Sequence, residues 1–257
     1  MKISIITASF RSAATIRDTL ESVNVQTYPD IDHVIIDAAS KDDTLQIVRE
    51  VGKRVVHVTC EPDKGIFDAY NKGLRIARGD IIGILNSDDF YASPHVIADV
   101  MRVFEDPSVD AVYADLVYVD KDDTRRIVRH WKSRPYRDGD FSRAFSPPHP
   151  TLFLRRSVYD RTGGFNPDFR LAGDYEYMLR AFHAARVKSV YLPEIVVKMR
   201  TGGATGGTWK FIKHQNVEIL QALESQRVPV FKPAFFLRKL VDRVLQRARA
   251  RFVRLPA

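Results

Sequence analysis

The first 120 residues alternate short apolar runs with longer stretches whose apolar positions recur at helical spacing. The runs are rich in β-branched and aliphatic residues, which predict strands, and occupy residues 3–7, 34–37, 55–58 and 81–85. Helix-like stretches follow them, starting near Ser12, Asp42, Gly65 and Ser93. Strands and helices in alternation predict βαβ units around a mostly parallel sheet, and continuous apolar strands predict that helices cover both faces.

The pattern changes beyond residue 120. One or two strands are predicted at residues 109–119, and charged loops then lead to the proline-rich stretch 147–150. A helical run is predicted over residues 173–185, followed by short strands at 189–191 and 195–199.

The 257 residues are 45% hydrophobic, which is enough for one sizeable core. We therefore predict one α/β domain over residues 1–228, with halves 1–120 and 121–228, and a tail over 229–257. Residues 201–208 contain four glycines, which predict a mobile or tightly turned loop.

The predicted tail combines positive charge with apolar residues. Eight basic side chains face one acid, Asp242, and they are Lys232, Arg238, Lys239, Arg243, Arg247, Arg249, Arg251 and Arg254. Apolar residues recur between them partly at helical spacing, which predicts a basic amphipathic helix suited to an anionic membrane surface. A solvated helix whose apolar face packs on the domain fits the same pattern, and the sequence leaves both interpretations open.

Composition narrows the cellular setting and the partners. No apolar run of about 18 residues is present, and the N-terminus reads as a strand and not as a signal peptide. The single cysteine, Cys60, excludes an internal disulfide and a cysteine cluster for zinc, so the cytosol is the simplest compartment. The net charge of +8 predicts an anionic partner. Its concentration in the tail, without a groove of stacking aromatics, argues against nucleic acid.

Polar residues follow the predicted strands where each strand ends. They occupy residues 7–10, 37–43, 61–64 and 86–89. Open parallel sheets bind ligands beyond the carboxyl ends of their strands, so we expect one shared rim. No GxGxxG follows the first strand, which argues against a dinucleotide-binding dehydrogenase. Asp88 and Asp89 are instead an oxygen ligand set for Mg²⁺ or Mn²⁺, although a turn or helix cap would use the same residues.

Several motifs in order resemble family 2 glycosyltransferases over roughly residues 1–205. The first half carries IITASF, VIIDAASKDDT, EPDKGIFDAYNKGLRIARGD and GILNSDDFY, and the second carries HPTLFLRRSVYDRTGGF and LAGDYEYMLR. The resemblance implies a GT-A fold with a Rossmann-like sheet. It further implies a nucleotide-sugar-binding half at 1–120 and an acceptor half at 121–228.

The resemblance also assigns donor residues. Thr7 and Asp37 match positions that contact the nucleobase or ribose, although Ala38 stands where many members have a second acid. Positions near the donor are matched by Lys64, Asp68 and Asn71. Asp88 matches the carboxylate shared by ribose and metal, and Asp89 the metal ligand, which implies Mg²⁺ or Mn²⁺ as cofactor.

On the acceptor side, Asp174 resembles the family's general base, and the preceding Gly173 would let an acceptor approach closely. An acid in the first turn of a helix could equally satisfy backbone donors there. Glu176 is the alternative base. His149, between two prolines, matches a position that could face the donor sugar or the acceptor, with a purely structural histidine as the alternative.

The resemblance implies an inverting transferase that moves a sugar from a nucleotide-diphospho-sugar, with UDP expected, to a hydroxyl of a lipid-linked or cell-envelope polysaccharide. Membrane contact through the tail would place it on the cytosolic, inner face of the plasma membrane. A metal-dependent nucleotidyltransferase acting on sugar phosphates is the alternative enzyme. It would be expected to show a Gly-rich basic loop after the first strand, which residues 8–11 match poorly.

Overall fold

The computed structural model describes residues 1–202 and 209–253, so most of the predicted glycine loop at 201–208 and the last four residues of the predicted tail lie outside the described residues. Within these ranges nine strands form one sheet in the order β3-β2-β1-β4-β8-β6-β9-β5, with β7 pairing on β6. The strands are β1 Ile3–Ser9, β2 Ile31–Asp37, β3 Val55–Cys60, β4 Ile81–Ile84, β5 Phe90–Tyr91, β6 Ala111–Val119, β7 Ile127–Trp131, β8 Phe153–Arg155 and β9 Ser189–Arg200.

The predicted strands of the first half form the parallel part of the sheet. β1 pairs in parallel with both β2 and β4, and β2 with β3. Their carboxyl ends therefore lie side by side, as expected. Strands β1, β2 and β4 are almost wholly buried, whereas β3 is the edge strand and exposes Val56, Val58 and Cys60. The expectation of cover on both faces is wrong for β3, where Val56 and Val58, two residues apart on one face of the strand, are exposed.

The second half extends the sheet with antiparallel pairs. β8 pairs antiparallel with β4 and β6, and β7 and β5 pair antiparallel with β6 and β9. β9 runs as one strand where two were predicted, and its register against β6 shifts around Asp115, so that Leu192 pairs with Ala114 and Ile195 with Asp115. Pro193 explains the shift, because a proline has no N–H to give to a ladder and is accommodated at a bulge.

The helices flank the sheet and bury one face each. They are α1 Ile16–Asn24, α2 Thr44–Val51, α3 Ile66–Ile76, α4 Val96–Val103, α5 Arg156–Thr162, α6 Gly173–Leu179, α7 Trp209–Ser225 and α8 Lys232–Arg249. Two large apolar clusters form, one on each face of the sheet, and the first of them continues through Tyr177 and Phe182 to Ile219, Leu223 and Phe235. α7 and α8 therefore pack on the same core as the sheet.

The predicted helical run over residues 173–185 consists of α6 and a π-helical turn, Arg180–Ala184. The start of α6 packs tightly: a Cβ added at Gly173 would lie 2.7 Å from ring carbons of Phe67. The glycine thus makes room for Phe67 on α3, which differs from the expectation that it admits the acceptor. Phe67 holds the N-terminus of α6 against α3.

The C-terminal helix α8 has an unusual orientation for an amphipathic helix. Phe235 and Gln246 are buried and Lys239 and Arg243 half-buried, whereas Leu240 is 61% exposed. α8 therefore packs on the domain, but partly through charged residues, and leaves much of its apolar surface outside. None of the helices in the described ranges combines the length and the apolar character needed to cross a membrane. The boundary at residue 228 stays a prediction.

Candidate active site

The carboxyl ends of the parallel strands border a large cavity. Its walls include the β1 end at residues 8–12, the residues after β4 at 86–89, the start of α6, and α8. The cavity measures about 2190 Å³, against roughly 300–1,000 Å³ for a typical ligand pocket. It is therefore large enough for two substrates at once.

Asp88 and Asp89 lie on this cavity directly after β4. Asp89 is buried, and its carboxylate accepts hydrogen bonds from the Asn86 amide at 3.2 Å and from the Arg200 backbone N–H at 3.3 Å. Burial raises the pKa of the Asp88 carboxyl. Burial, and then the charge of Asp88, raise the pKa of Asp89 well above its usual range. The pair is thus a site of concentrated negative charge that its protein neighbours compensate only in part.

Arg200, at the end of β9, is a cation next to this pair, and the sequence did not indicate it. Its guanidinium donates to the Asp88 carbonyl oxygen at 3.4 Å and pairs with Asp18 on α1. The side chain is only 8% exposed. Arg200 therefore ties the loop after β4 to the distant end of β9.

The donor set at Asp88 and Asp89 fits a divalent cation. Across residues 1–202 and 209–253, no group of three or more His, Cys, Asp and Glu side chains is arranged to hold a metal ion. Two adjacent carboxylates are the partial ligand set that Mg²⁺ or Mn²⁺ takes when phosphate and water oxygens complete its shell. A metal at this position would share its coordination with a bound diphosphate.

Asp37 is fully buried at the end of β2. Its carboxylate accepts hydrogen bonds from the Ser9 hydroxyl at 2.8 Å and from the Ser40 N–H and hydroxyl at 2.8 and 2.7 Å. The Cys60 thiol lies 3.8 Å from its Oδ1. Asp37 therefore fixes the loops around Ser9 and Ser40, and Ala38 lines the cavity in its place.

Thr7 does not reach the cavity. Its side chain is fully buried within β1, where its hydroxyl and His33 Nε2 hydrogen-bond at 2.9 Å. Nucleotide contact was expected of Thr7, but the residue lies inside the strand, two residues before its end, and its hydroxyl is held by His33. Ser9 and Phe10 line the cavity at this strand end.

The three predicted residues around α3 are tied to the protein itself. Lys64 and Asp68 lie outside the cavity lining, and the Asp68 carboxylate accepts the Lys64 N–H at 3.1 Å. Asn71 lies outside the lining as well, and its amide donates to the Phe165 carbonyl and accepts the Phe165 N–H, both at 2.8 Å. The structure thus gives Asn71 a linking position between α3 and the loop before α6.

Asp174 lies half-buried in the first turn of α6 and faces the cavity. Its Oδ1 accepts the N–H of Tyr175 at 2.8 Å, which leaves Oδ2 without a hydrogen bond from the described residues. The preceding loop is held by Glu218 on α7, whose carboxylate accepts the N–H groups of Arg170, Leu171 and Ala172 at 3.1, 2.8 and 2.8 Å. The sequence did not point to Glu218.

Glu176, the alternative base, is buried away from the cavity. Both of its oxygens accept from the Arg180 guanidinium at 2.9 Å, and Arg180 also donates to the backbone at Thr162 and Gly164. A carboxylate held in two charge-assisted hydrogen bonds is not available to an acceptor hydroxyl. The prediction of Glu176 as a base therefore fails, because position 176 lies on the inner face of α6.

His149 and Tyr70 lie between the two carboxylate sites. The rings stack with centroids 6.1 Å apart, and both residues line the cavity. Burial lowers the pKa of His149, and the charge of Asp174 opposes that effect. Burial raises the pKa of Tyr70, and so do the charges of Asp174, Asp89 and Asp88. Tyr70 donates to Asn86 Oδ1 at 2.5 Å, so a neutral pair of rings connects the two sites.

Comparison with known proteins gives this arrangement a family. The profile described as Glycosyl transferase family 2 matches residues 4–163. A PGL/p-HBAD biosynthesis glycosyltransferase of Mycobacterium bovis is 26% identical over 216 residues, which are 80% of this chain and 79% of the relative.

Two solved structures are similar in fold. TarS 1–349 of S. aureus in complex with UDP-GlcNAc superposes with a TM-score of 0.67 at 18% identity, over 87% of this chain and 66% of that one. The mannosyltransferase PcManGT of Pyrobaculum calidifontis in complex with GDP-Man and Mn²⁺ superposes with a TM-score of 0.66 at 19% identity, over 97% of this chain and 73% of that one. The present chain covers 40% of a longer TarS structure.

These two similarities confirm the expected GT-A type of fold, a mostly parallel sheet flanked by helices. The family profile covers the whole donor rim and extends into the second half of the sheet. The chain belongs to glycosyl transferase family 2 and is a glycosyltransferase.

Proposed function

We propose that this protein transfers a sugar from a nucleotide-diphospho-sugar to a hydroxyl of a lipid-linked or cell-envelope glycan, with inversion at the anomeric carbon. The observation that carries the proposal is a single cavity with two separate carboxylate sites. Asp88 and Asp89 lie on the rim of the parallel strands, and Asp174 lies at the start of α6 in the other half of the chain.

The donor diphosphate would bind at the rim. Asp88 and Asp89 would hold Mg²⁺ or Mn²⁺ there, as the complex of PcManGT with GDP-Man and Mn²⁺ suggests by analogy. The metal would supply positive charge to the departing phosphate oxygens. Arg200 would keep Asp89 in position through its backbone N–H. The nucleoside would lie against Ser9, Phe10 and Ala38, in loops that Asp37 fixes.

The acceptor hydroxyl would bind at Asp174, whose Oδ2 accepts no hydrogen bond from the described residues. As the bond between the anomeric carbon and the diphosphate oxygen breaks, the acceptor oxygen forms a bond to the opposite face of that carbon. Asp174 takes the hydroxyl proton, and the bonding electron pair leaves with the diphosphate. A single displacement of this kind inverts the anomeric centre.

UDP is the donor nucleotide that we propose, in line with the UDP-GlcNAc complex of TarS. In this proposal Thr7 does not contact UDP. Ala38 has no carboxylate that could accept a hydrogen bond from the nucleobase. Asp37 contributes through the loops that it fixes, and Lys64, Asp68 and Asn71 through the position of α3. The family match favours this reaction over the nucleotidyltransferase alternative.

The acceptor class that we propose follows from α8 and from a relative. The similar glycosyltransferase from M. bovis is named for PGL/p-HBAD biosynthesis. α8 exposes Leu240, Val244 and Leu245, and Phe231 before it is 74% exposed. An exposed apolar surface on a basic helix suits the boundary of an anionic membrane. The protein would then act as a peripheral enzyme on the cytosolic face of the plasma membrane.

The experiment begins with a screen of UDP-, GDP- and TDP-sugars for Mn²⁺-dependent release of the nucleotide. With the sugar found, Asp89→Ala should abolish transfer and weaken metal-dependent donor binding. Asp174→Asn should lose turnover, by about 100-fold or more, while donor binding is retained.

The matched control is Asp168→Asn, the same change at an exposed position six residues earlier, outside the cavity lining. Full activity of Asp89→Ala would exclude the metal site at the rim. Turnover of Asp174→Asn equal to that of Asp168→Asn would exclude Asp174 as the base.

A further inference from the structure

α8 presents several cations to the cavity and leaves part of its apolar surface outside. Lys239, Arg243 and Arg247 line the cavity together with Leu237, Val241 and Asp242, whereas Leu240 and Val244, on the other side of the helix, do not. Leu240 and Val244 are 61% and 57% exposed. A surface helix on a soluble domain normally buries its apolar stripe and exposes its charges. The opposite arrangement places a row of cations along one wall of the active-site cavity.

Arg129 on β7 completes this row from the neighbouring strand. It is half-buried, and its guanidinium lies 4.4 Å from the Tyr118 ring centre and 5.5 Å from that of Trp131. Its Nε donates to Gln246 on α8, which brings β7 and the helix together. We call Arg129, Lys239, Arg243 and Arg247 the cation cluster.

The positive charges of the cation cluster repel one another, which disfavours the protonated form of its side chains. Burial, and then the charge of Arg243, lower the pKa of Lys239 to about 8. Burial also lowers the pKa of Arg129, and the charges of Arg243 and Arg247 lower it further. In the ranges that the structure describes, no member of the cluster forms an ion pair with a carboxylate, and Lys239 donates instead to Asn216 Oδ1 at 2.6 Å.

Such a cluster costs folding free energy, because like charges repel and each has lost part of its water. An anion that accepts hydrogen bonds from several of these groups would remove that cost. Phosphate is the group that arginine and lysine side chains bind most readily in this way. The cluster therefore has the chemistry of a phosphate site.

The cation cluster lines the same cavity as Asp174, and the charge of Asp174 acts on Lys239. The Tyr118 hydroxyl is affected by the charges of Arg129, Asp89, Arg243 and Asp174, in that order. The donor diphosphate would have its own place at Asp88 and Asp89, where Arg200 is a neighbouring cation. The cation cluster would then be a second anion site on the same cavity.

We infer that the cation cluster binds a phosphate or diphosphate group of the acceptor, and so presents the acceptor hydroxyl to Asp174. The inference rests on the proposed function and specifies its acceptor as a phosphate ester. A lipid phosphate and a phosphate of a polymer share this chemistry.

The test is calorimetric titration of the full chain with inorganic diphosphate in metal-free buffer, in which the metal-dependent donor site is not filled, followed by addition of UDP as a competitor. Arg243→Gln should weaken diphosphate binding by about 10-fold or more, because it removes one charge-assisted hydrogen bond. Lys232→Gln is the matched control, since it removes one charge from the same helix at an exposed position outside the cavity lining. Its affinity for diphosphate should equal that of the wild type.

Thermal unfolding without ligand separates binding from folding. Arg243→Gln should melt at the same temperature as the wild type or higher, because a like-charge repulsion is removed. If it melts lower, the diphosphate titration is repeated with Arg247→Gln, which changes an exposed position of the same cluster. This variant should also bind diphosphate more weakly than the wild type. Diphosphate affinity unchanged in Arg247→Gln, or displacement of the diphosphate by UDP, would overturn the inference.

Dodecyl phosphate and inorganic phosphate distinguish the two sources. Tighter binding of dodecyl phosphate, lost in Arg243→Gln, indicates a lipid phosphate, and equal affinities indicate a polymer phosphate. Binding of neither probe would refute the inference. These titrations need no donor and no metal, so their failure is distinct from a failure of the sugar transfer, which the nucleotide-release screen reports.

Discussion

Glu218 holds the loop that carries Asp174, and replacing it with glutamine tests how strictly that loop must be held. One carboxylate accepts three consecutive backbone N–H groups, from Arg170 to Ala172. A glutamine keeps one oxygen and turns an amide NH₂ towards the remaining donors. At least one N–H then has no acceptor in the protein, and the others no longer have a charged one.

The expected destabilisation follows from these hydrogen bonds. Hydrogen bonds to charged groups contribute about 1.5–3 kcal/mol each, and an orphaned donor costs about 1–3 kcal/mol. With one hydrogen bond broken and two weakened, Glu218→Gln should cost ~3 kcal/mol of the free energy of unfolding. For a chain of this length the melting temperature should fall by about 6–12 °C. Asp174 lies two residues beyond the held segment, so kcat should fall at least about 10-fold through misplacement of the base.

The assays are thermal unfolding, donor titration and nucleotide release with donor and acceptor. Donor affinity should be unchanged, since Glu218 holds the loop before α6 and lies outside the cavity lining. Glu224→Gln is the control, because Glu224 is an exposed acid on the same helix. If Glu218→Gln melts and turns over like Glu224→Gln, the loop before Asp174 does not depend on this carboxylate.

Three further outcomes are expected. Gly173→Ala should lower kcat and cost about 1–3 kcal/mol in urea unfolding, because the new Cβ lies 2.7 Å from Phe67; wild-type values would contradict the packing. Burial lowers the pKa of His33 to about 3, below its unfolded value of 6.5, so stability falls as pH drops below 6.5. The decrease should reach ~2 kcal/mol between pH 7 and 5, and an equal decrease in His33→Gln would refute this. Leu240→Asp should reduce co-sedimentation with anionic vesicles about 10-fold, because it removes apolar surface from α8. Val25→Asp, at an exposed apolar residue on another surface, should not reduce it. Equal sedimentation of the two variants would exclude membrane binding through α8.

The donor rim could be predicted from the sequence because its signals are local. Each parallel strand is a continuous apolar run, and the polar residues that follow it lie at the rim by the rules of strand pairing. Asp88 and Asp174 were found in this way and by resemblance, and the structure brings both to one cavity. Their roles as metal ligand and base stay predictions.

The residues that hold the site could not be predicted, because their partners are far away in the chain. Arg200 meets Asp89 across 111 residues, and Glu218 meets Leu171 across 47. Nothing in the local pattern around either residue encodes such a pairing. The placement of Thr7 and Glu176 away from the cavity could not be predicted either, because it follows from hydrogen bonds to His33 and to Arg180.

The single cysteine gives the protein a built-in attachment point. Cys60 is exposed at the end of the edge strand, and its sulfur lies 3.8 Å from the Asp37 carboxylate that organises the nucleoside loops. A maleimide dye would therefore couple at one known position without mutagenesis, and its emission would respond when a nucleotide settles against those loops. Nucleotides could then be ranked by fluorescence titration before any acceptor is known.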